Sequence, residues 1–223
     1  MNAHSRSAQM QIQFINYWHA GSGRGSGYHL DALCERDGDQ LPMLPGRQLK
    51  GLLRHAVHRA EAWGWLVDIV LPEGPLNTHE ELLFGSFSQS ESRDATQPGV
   101  LQVDSAHLPE AERLWLATGE QADLRAELFG ELYSTAINEK GSAQRYSLRG
   151  LEVCIPLTLH AALSMTGTAQ QPALRAQQLA YLDAGHGWQV LTRALPLLDA
   201  LGAQRSRGLG EARVTLDLPE QGN

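Results

Sequence analysis

The stretch PGRQLKGLLRHAVHRAEAWGW, Pro45–Trp65, decides the fold. Leu49, Leu52, Leu53, Ala56, Val57, Ala60 and Trp63 recur at alternating spacings of three and four. That period predicts a helix over Gly46–Trp65 with one buried stripe, entered through Pro45 and Gly46. Upstream, Gln11–Trp18 alternates at Ile12 and Phe14 and reads as a strand, after nine polar residues expected to be loose. Leu30–Arg36 reads as an edge-like strand closed by the Asp37–Asp39 turn. Downstream, Gly99–Asp104 alternates, and so do Leu151–Leu159 and Ala212–Leu218. Helical patterns are expected at Thr78–Leu83, Pro109–Leu132 (broken near Thr118), Leu174–Leu182 and His186–Leu201 (broken at Pro196). This order predicts an α+β fold, with helices on one face of an antiparallel sheet. A ferredoxin-like βαββαβ core in a single domain over 1–223 fits it, with insertions at about 66–98 and 134–148.

Composition narrows the function. At 223 residues with 42% hydrophobic content, the chain is long enough for a sizeable core. It has no run of 18 apolar residues, so no membrane span is expected. The N-terminal MNAHSRSAQMQIQ lacks an apolar signal core, which makes the cytoplasm the expected compartment. Two cysteines, Cys34 and Cys154, stand far apart and outside any CxxC pair, against a disulfide scaffold or a zinc ribbon. The net charge of −7 speaks against a free-standing nucleic-acid binder. Yet only Lys50 and Lys140 are lysines, so nearly every cation is an arginine, the residue suited to bidentate phosphate contacts.

Three segments carry candidate chemistry. Arg47, Lys50 and Arg54 fall at i, i+3 and i+7 beside a helix start whose first N–H groups have no intrahelical partner. Together they would make a phosphate seat, although the same spacing fits the solvated face of an amphipathic helix. In Gly202–Val214 (GAQRSRGLGEARV), Arg205 and Arg207 supply charge, and Gly208 and Gly210 allow close backbone approach to a phosphate or base. A simple helix-to-strand turn fits equally. The third segment is Ala20–His29, AGSGRGSGYH, with Arg24 inside it and Asp31 just beyond. A carboxylate beside a glycine-rich loop can hold a divalent metal or take a proton from a ribose hydroxyl, and His29 is a candidate acid–base group. A surface aspartate on a strand is the plain alternative. The sequence holds no Walker A, HExxH, GxSxG or dinucleotide fingerprint.

Taken in order, LPMLPGRQLKGLLRHAV, then LFGS with GVLQVDSA, then LGAQRSRGLGEARV resemble the RAMP superfamily of CRISPR-associated proteins. The likeness is to the small backbone subunit of type III effector complexes. It implies an RRM-like core, an inserted thumb within Ser134–Leu148, and repeated copies along a guide RNA. Pro45, Gly46, Lys50, Gly51 and Arg54 match that group's helix-start motif, and Arg207, Gly208, Leu209 and Gly210 its terminal glycine loop. Asp31 matches by position an aspartate that cuts target RNA with a divalent metal, with Asp37 in place of an acidic residue six further on. The resemblance therefore implies a guide RNA, a single-stranded target RNA, further copies of the chain and other effector subunits as partners. It implies Mg²⁺ or Mn²⁺ if Asp31 is catalytic and metal-bound.

Three alternatives stay open at this point. One is a non-catalytic structural subunit of the same family. Another is a metal-independent guide-processing ribonuclease using His29 or His19. The third is a protein-interaction module that binds no RNA, which the acidic charge favours.

Overall fold

The computed structural model describes residues 6–27, 29–86 and 96–218. Strand β1 (Ser7–Phe14) buries Ala8, Met10, Ile12 and Phe14 and turns Gln9, Gln11 and Gln13 away from the core. It is paired on both edges, with β5 (Thr158–Met165) and with β6 (Ala212–Asp217). Pairing with β5 begins the strand at Ser7, so part of the expected loose N-terminus is core strand. β2 (Leu101–Val103) pairs with β5, giving a four-stranded antiparallel sheet in the order β2-β5-β1-β6. Helix α1 (Gly46–Ala62) links β1 to β2, while α5 (Pro172–Asp183) and α6 (His186–Ala194) link β5 to β6. Two βαβ halves sharing one sheet in this order make the ferredoxin-like core expected from the sequence.

Helix α1 packs against α6, and its buried Leu49, Leu53, Ala56, Val57 and Ala60 join the core beneath the sheet. The other sheet face carries Gln9, Gln11, Gln13, His160, Ser164 and Thr215, with no Phe, Tyr or Trp of the kind on which an RRM stacks bases. Among the described residues no helix is long and apolar enough to cross a membrane.

The remaining elements interrupt this core. Helix α2 (His79–Phe84) follows α1, capped by Thr78, whose Oγ1 accepts from Glu81 N at 3.1 Å. Beyond it the chain forms a neck. Ser86 N donates to Gln97 O at 3.1 Å, and Gln97 N to Ser86 Oγ at 2.8 Å. Gly85 (φ +94) is required there, since a Cβ would lie 2.7 Å from Gln97 O.

Between β2 and β5 come α3 (Glu110–Leu116), α4 (Ala122–Glu127) and a separate hairpin of β3 (Phe129–Ser134) and β4 (Arg149–Cys154). Two expectations are corrected here. Phe129–Leu132 is strand rather than helix, because it pairs in register with β4. Leu151–Leu159 is two strands in two sheets, divided around Pro156, which has no N–H to offer a ladder. A third correction concerns Leu30–Arg36, which makes only isolated bridges, Ala32 to Leu151 and Cys34 to Gly21 among them.

His79 shows how the interior is satisfied. Its Nε2 lies 3.1 Å from Ile69 O and its Nδ1 3.2 Å from the Tyr181 hydroxyl. The neutral ring fits both, donating to the carbonyl and accepting from the hydroxyl. Burial lowers its pKa from the ordinary 6.5, and the nearby His186 adds to this, against the raising effect of Glu61 and the Ile69 carbonyl. The unfolded chain then takes up this proton first. The stability that neutral His79 contributes is therefore present above pH 6.5 and lost as the pH falls through the lower, folded-state value. His19 has the opposite sign: burial works against its proton, but Cys34 and the Glu152 carbonyl raise its pKa. Thermal melts at pH 7.5 and 5.5 are expected to show a smaller acid-induced drop in His79→Gln than in wild type. Equal drops would remove His79 from the account.

Candidate nucleic-acid interface

At the start of α1, Gly46 N donates to Ser105 Oγ at 3.1 Å, and a Cβ on Gly46 would lie 2.5 Å from Val103 O. Glycine here lets the helix end press onto β2. The three cations of this helix then part company. Lys50 Nζ donates to Leu101 O at 2.7 Å, tied to the neighbouring strand. Burial, and secondarily the charge of Arg54, lowers its pKa. Arg54 Nε donates to Glu80 Oε1 at 2.6 Å and its Nη2 to Gly85 O at 3.0 Å, while His58 Nδ1 lies 2.8 Å from the other Glu80 oxygen. The face expected to hold phosphate is covered by β2 and α2, and its two inner cations serve as struts.

Arg47 remains exposed. It faces a cleft of about 910 Å³ with Pro45, Gly46, Gln48 and Ser105 on one side and Gly21 and Gly23 on the other, and Glu35 and Asp104 in its walls. Gly51 is exposed on the same helix, and a Cβ there would meet nothing within 4 Å. Packing within the chain does not require that glycine, although it costs about 1 kcal/mol relative to alanine in a helix.

The glycine-rich loop folds back on itself through Ser22 N to Leu33 O at 3.0 Å and Ser26 N to Leu30 O at 2.8 Å. Gly25 lies flat on the next segment, where a Cβ would be 2.8 Å from Asp31 O. That segment is anchored to β4 by the buried Glu152, which accepts from Cys34 N at 2.7 Å and from Arg36 Nη2 at 2.7 Å. Asp31 itself exchanges bonds with the start of β4. Its N–H donates to Gly150 O at 2.8 Å, and its Oδ2 accepts from Gly150 N at 2.9 Å.

The exposed Asp31 carboxylate lines a groove of about 530 Å³ with Tyr133, Arg149, Gly150, Gln204 and Arg207. Asp31 and Arg207, singled out far apart in the sequence, therefore meet. Arg149 and Tyr133 join them and were missed. For Arg149 the available signal was the cation-rich run RYSLR, Arg145–Arg149; Tyr133 carried none.

The other predicted residues lie elsewhere. Arg24 is exposed on the glycine loop, and its backbone oxygen accepts from Leu33 N at 2.9 Å. Arg205 lines a separate hollow of about 440 Å³ with Asn16, Glu211 and Arg213. Gly208 (φ +84) stands in open space, its oxygen accepting from Asn16 Nδ2 at 3.0 Å, whereas Gly210 (φ +77) is buried against Leu201. His29 Nε2 lies 2.9 Å from Glu131 Oε1, and Glu131 also accepts from the Tyr133 hydroxyl at 2.6 Å. The Tyr133 bond first and His29 second hold Glu131 below the usual carboxylate range. His19 is buried beside Cys34 and the Glu152 carbonyl and cannot reach a substrate from there.

The donor set does not fit a resident Mg²⁺ or Mn²⁺. One Asp31 oxygen already accepts a backbone N–H, and two guanidiniums line the same groove. Asp37 is spent in its own turn, accepting from Asp39 N and Leu41 N at 2.9 and 3.0 Å. Among the described residues no three His, Cys, Asp or Glu side chains are grouped to hold a metal.

A family model described as the RAMP superfamily matches residues 11–171. Comparison with curated proteins gives no significant match. Among solved structures, the chain is similar to one in a cryo-EM structure of the type III-B Cmr-beta bound to cognate target RNA. That likeness has a TM-score of 0.62 and 10% identity, covering 96% of this chain and 98% of the other. A chain in the apo-state cryo-EM structure of type III-B Cmr-beta gives a TM-score of 0.60, with the same identity and coverage.

Proposed function

The chain belongs to the RAMP superfamily, and on that footing we propose that it is a guide-RNA-binding backbone subunit of a type III-like CRISPR effector complex. One observation carries the reading. On a chain of net charge −7, Arg47, Arg149 and Arg207 make no ion pair among the described residues, and they stand in two hollows, one lined by Gly21 and Gly23 of the glycine-rich loop and the other by Asp31 just beyond it. Unpaired guanidiniums at glycine-bounded hollows suit a polyanionic backbone held without sequence readout. The open sheet face, without Phe, Tyr or Trp, leaves the gripping to these loops. Further copies of the chain, other effector subunits and a single-stranded target RNA are the partners this reading assigns.

A second reading, cleavage of the target at Asp31 with Mg²⁺ or Mn²⁺, has one observation in its favour: the exposed carboxylate lies inside the arginine-lined groove. The donor set weighs against it, so the binding role is the one adopted. Purified full-length chain is expected to bind single-stranded RNA with an affinity that falls steeply with salt, by about 0.7 logarithmic units per phosphate contact per decade. An absence of RNA binding at low salt, alone and with its effector partners, would overturn the assignment. In the assembled complex, Asp31→Asn is expected to leave RNA affinity within about twofold, as one exposed carboxylate among guanidiniums should, and to leave the target products unchanged. Loss of target cleavage in that variant would establish the second reading instead.

A further inference from the structure

We propose that Cys34 and Cys154 form a peroxide-reactive pair, in which Cys34, activated by His19, is oxidised by hydrogen peroxide and Cys154 closes a disulfide onto it. The proposal stands independently of the RNA-binding reading.

The two cysteines are far apart in sequence, and three segments bring them together. Trp18 bridges to Cys154, with Trp18 N donating to Cys154 O at 3.1 Å and Cys154 N to Trp18 O at 2.7 Å. Gly21 bridges to Cys34, and Ala32 to Leu151. Residues 18–21, residues 32–36 and β4 therefore close on one another pairwise. Cys34, Cys154 and His19 are enclosed there, none of them more than 3% exposed. Cys34 Sγ lies 3.4 Å from His19 Nδ1 and donates to Glu152 O at 3.3 Å, and it is hydrogen-bonded to the Cys154 thiol. Both cysteines are free thiols. Two thiols in contact, one of them against an imidazole, make an attacking and a resolving sulfur.

Four groups set the charge balance at Cys34: Cys154, His19, Glu152 and Arg36. The Cys154 hydrogen bond first, and His19 after it, lower the Cys34 pKa against burial and the Glu152 charge. Burial first, then Cys34, pushes Cys154 the other way, with Arg36 opposing. Burial works against a proton on His19, yet Cys34 and the Glu152 carbonyl raise its pKa. The favoured state is a Cys34 thiolate beside a His19 imidazolium and a protonated Cys154.

The Cys34 thiolate attacks one peroxide oxygen. The O–O bond breaks, Cys34 becomes a sulfenic acid, and the departing hydroxide takes the His19 proton and leaves as water. Cys154 then attacks the Cys34 sulfur. The S–S bond forms, the S–O bond breaks, and the hydroxide leaves as a second water with the Cys154 proton. Two thiols and one hydrogen peroxide become one disulfide and two waters. Hydrogen peroxide is small and uncharged, and residues 30–36 are held by isolated bridges instead of a continuous ladder, so a local opening admits it. The disulfide joins this segment, which carries Asp31 into its groove, to the end of β4.

In the test, full-length protein is reduced, freed of reductant, exposed to hydrogen peroxide, quenched with catalase and alkylated in denaturant. The chain has only these two cysteines, so the thiol count reads the pair directly. Wild type is expected to lose both thiols and to give, on proteolysis, a cross-linked peptide joining Cys34 to Cys154 within one chain. Cys154→Ala is expected to stop at a Cys34 sulfenic acid trapped by dimedone, and Cys34→Ala to leave Cys154 unreacted. His19→Asn keeps a donor for the Glu152 carbonyl. It is expected to slow oxidation about tenfold at pH 7 and to move the pH–rate profile toward that of an ordinary thiol, only a few per cent ionised there. Oxidised wild type is expected to melt no lower than reduced, since the cross-link closes a long loop between groups already in contact.

Free thiols persisting in folded wild type after peroxide would overturn the pair, and so would disulfide-linked dimers in place of the internal bond. A Cys34→Ala protein whose Cys154 oxidises at the wild-type rate would reverse the order of attack and sink the assignment. An unaltered pH–rate profile in His19→Asn would remove His19 as the activating group. Oxidised protein melting below reduced protein would place bond formation in the unfolded chain and count equally against the proposal.

Discussion

Gly210→Ala is expected to give a protein that folds poorly, melting about 8–16 °C below wild type. Gly210 is buried with φ +77, and a Cβ there would fall on the carbonyl oxygen of Leu201. The left-handed conformation alone costs an L-residue roughly 1–2 kcal/mol. Relieving the clash requires backbone movement, and both backbone groups of Gly210 are committed. Its N–H donates to Tyr17 O at 2.8 Å, and its oxygen accepts from Leu201 N at 2.8 Å. A buried donor or acceptor left unmade costs about 1–3 kcal/mol, so a total near 4 kcal/mol is expected. At about 2–4 °C per kcal/mol for a chain of this length, that predicts the stated drop in a thermal melt. Gly208→Ala is the matched comparison. Its φ of +84 carries the conformational cost, but nothing lies within 4 Å of the added methyl. A Gly210→Ala protein melting with Gly208→Ala would show that the close approach is not a constraint.

Arg54→Ala should lower the melting temperature by about 5–10 °C without changing the salt slope of RNA binding. The guanidinium joins α1 to α2 through Glu80 and to the neck through the Gly85 carbonyl. Glu80 is 8% exposed, so truncating Arg54 leaves a buried carboxylate with His58 as its remaining side-chain partner. Breaking one side of a buried pair costs about 3–5 kcal/mol, and the partial exposure of Arg54 brings this nearer to 2–3 kcal/mol. A shallower salt slope with an unchanged melt would return Arg54 to the phosphate seat suggested by its sequence spacing. Read together, melt and slope separate a strut from a contact.

The pair Arg47 and Arg54 shows where sequence reasoning holds and where it stops. Period and polarity locate α1 within three residues of its end, because the leucine stripe is a local consequence of burial on one side. The same pattern cannot say what covers the opposite side. That depends on where α2 and β2 arrive, which no local pattern within α1 encodes. β6 was legible for the same reason as α1, whereas β5 (Thr158–Met165) was expected only as far as Leu159, as the tail of an earlier strand. The break between β4 and β5 was not, since alternation keeps its phase from Leu151 through Leu159 while the chain changes sheet. Asp31 and Arg207 could each be marked from their glycine-rich surroundings. Their meeting depends on β4, whose Gly150 holds Asp31 by two backbone-level bonds. Arg149 carried a signal in the RYSLR run that only the arrival of β4 beside the Arg207 turn makes into a groove.

The neck at Ser86 and Gln97 has a consequence for building with this protein. Ser86 and Gln97 are tied to each other by their own hydrogen bonds, so any chain joining them starts and ends at hydrogen-bonding distance. Doubling such a loop adds only about 0.6 kcal/mol of closure entropy. An affinity tag or a cross-linking handle inserted between Ser86 and Gln97 is expected to leave both arginine-lined hollows in place, since neither residue lines them.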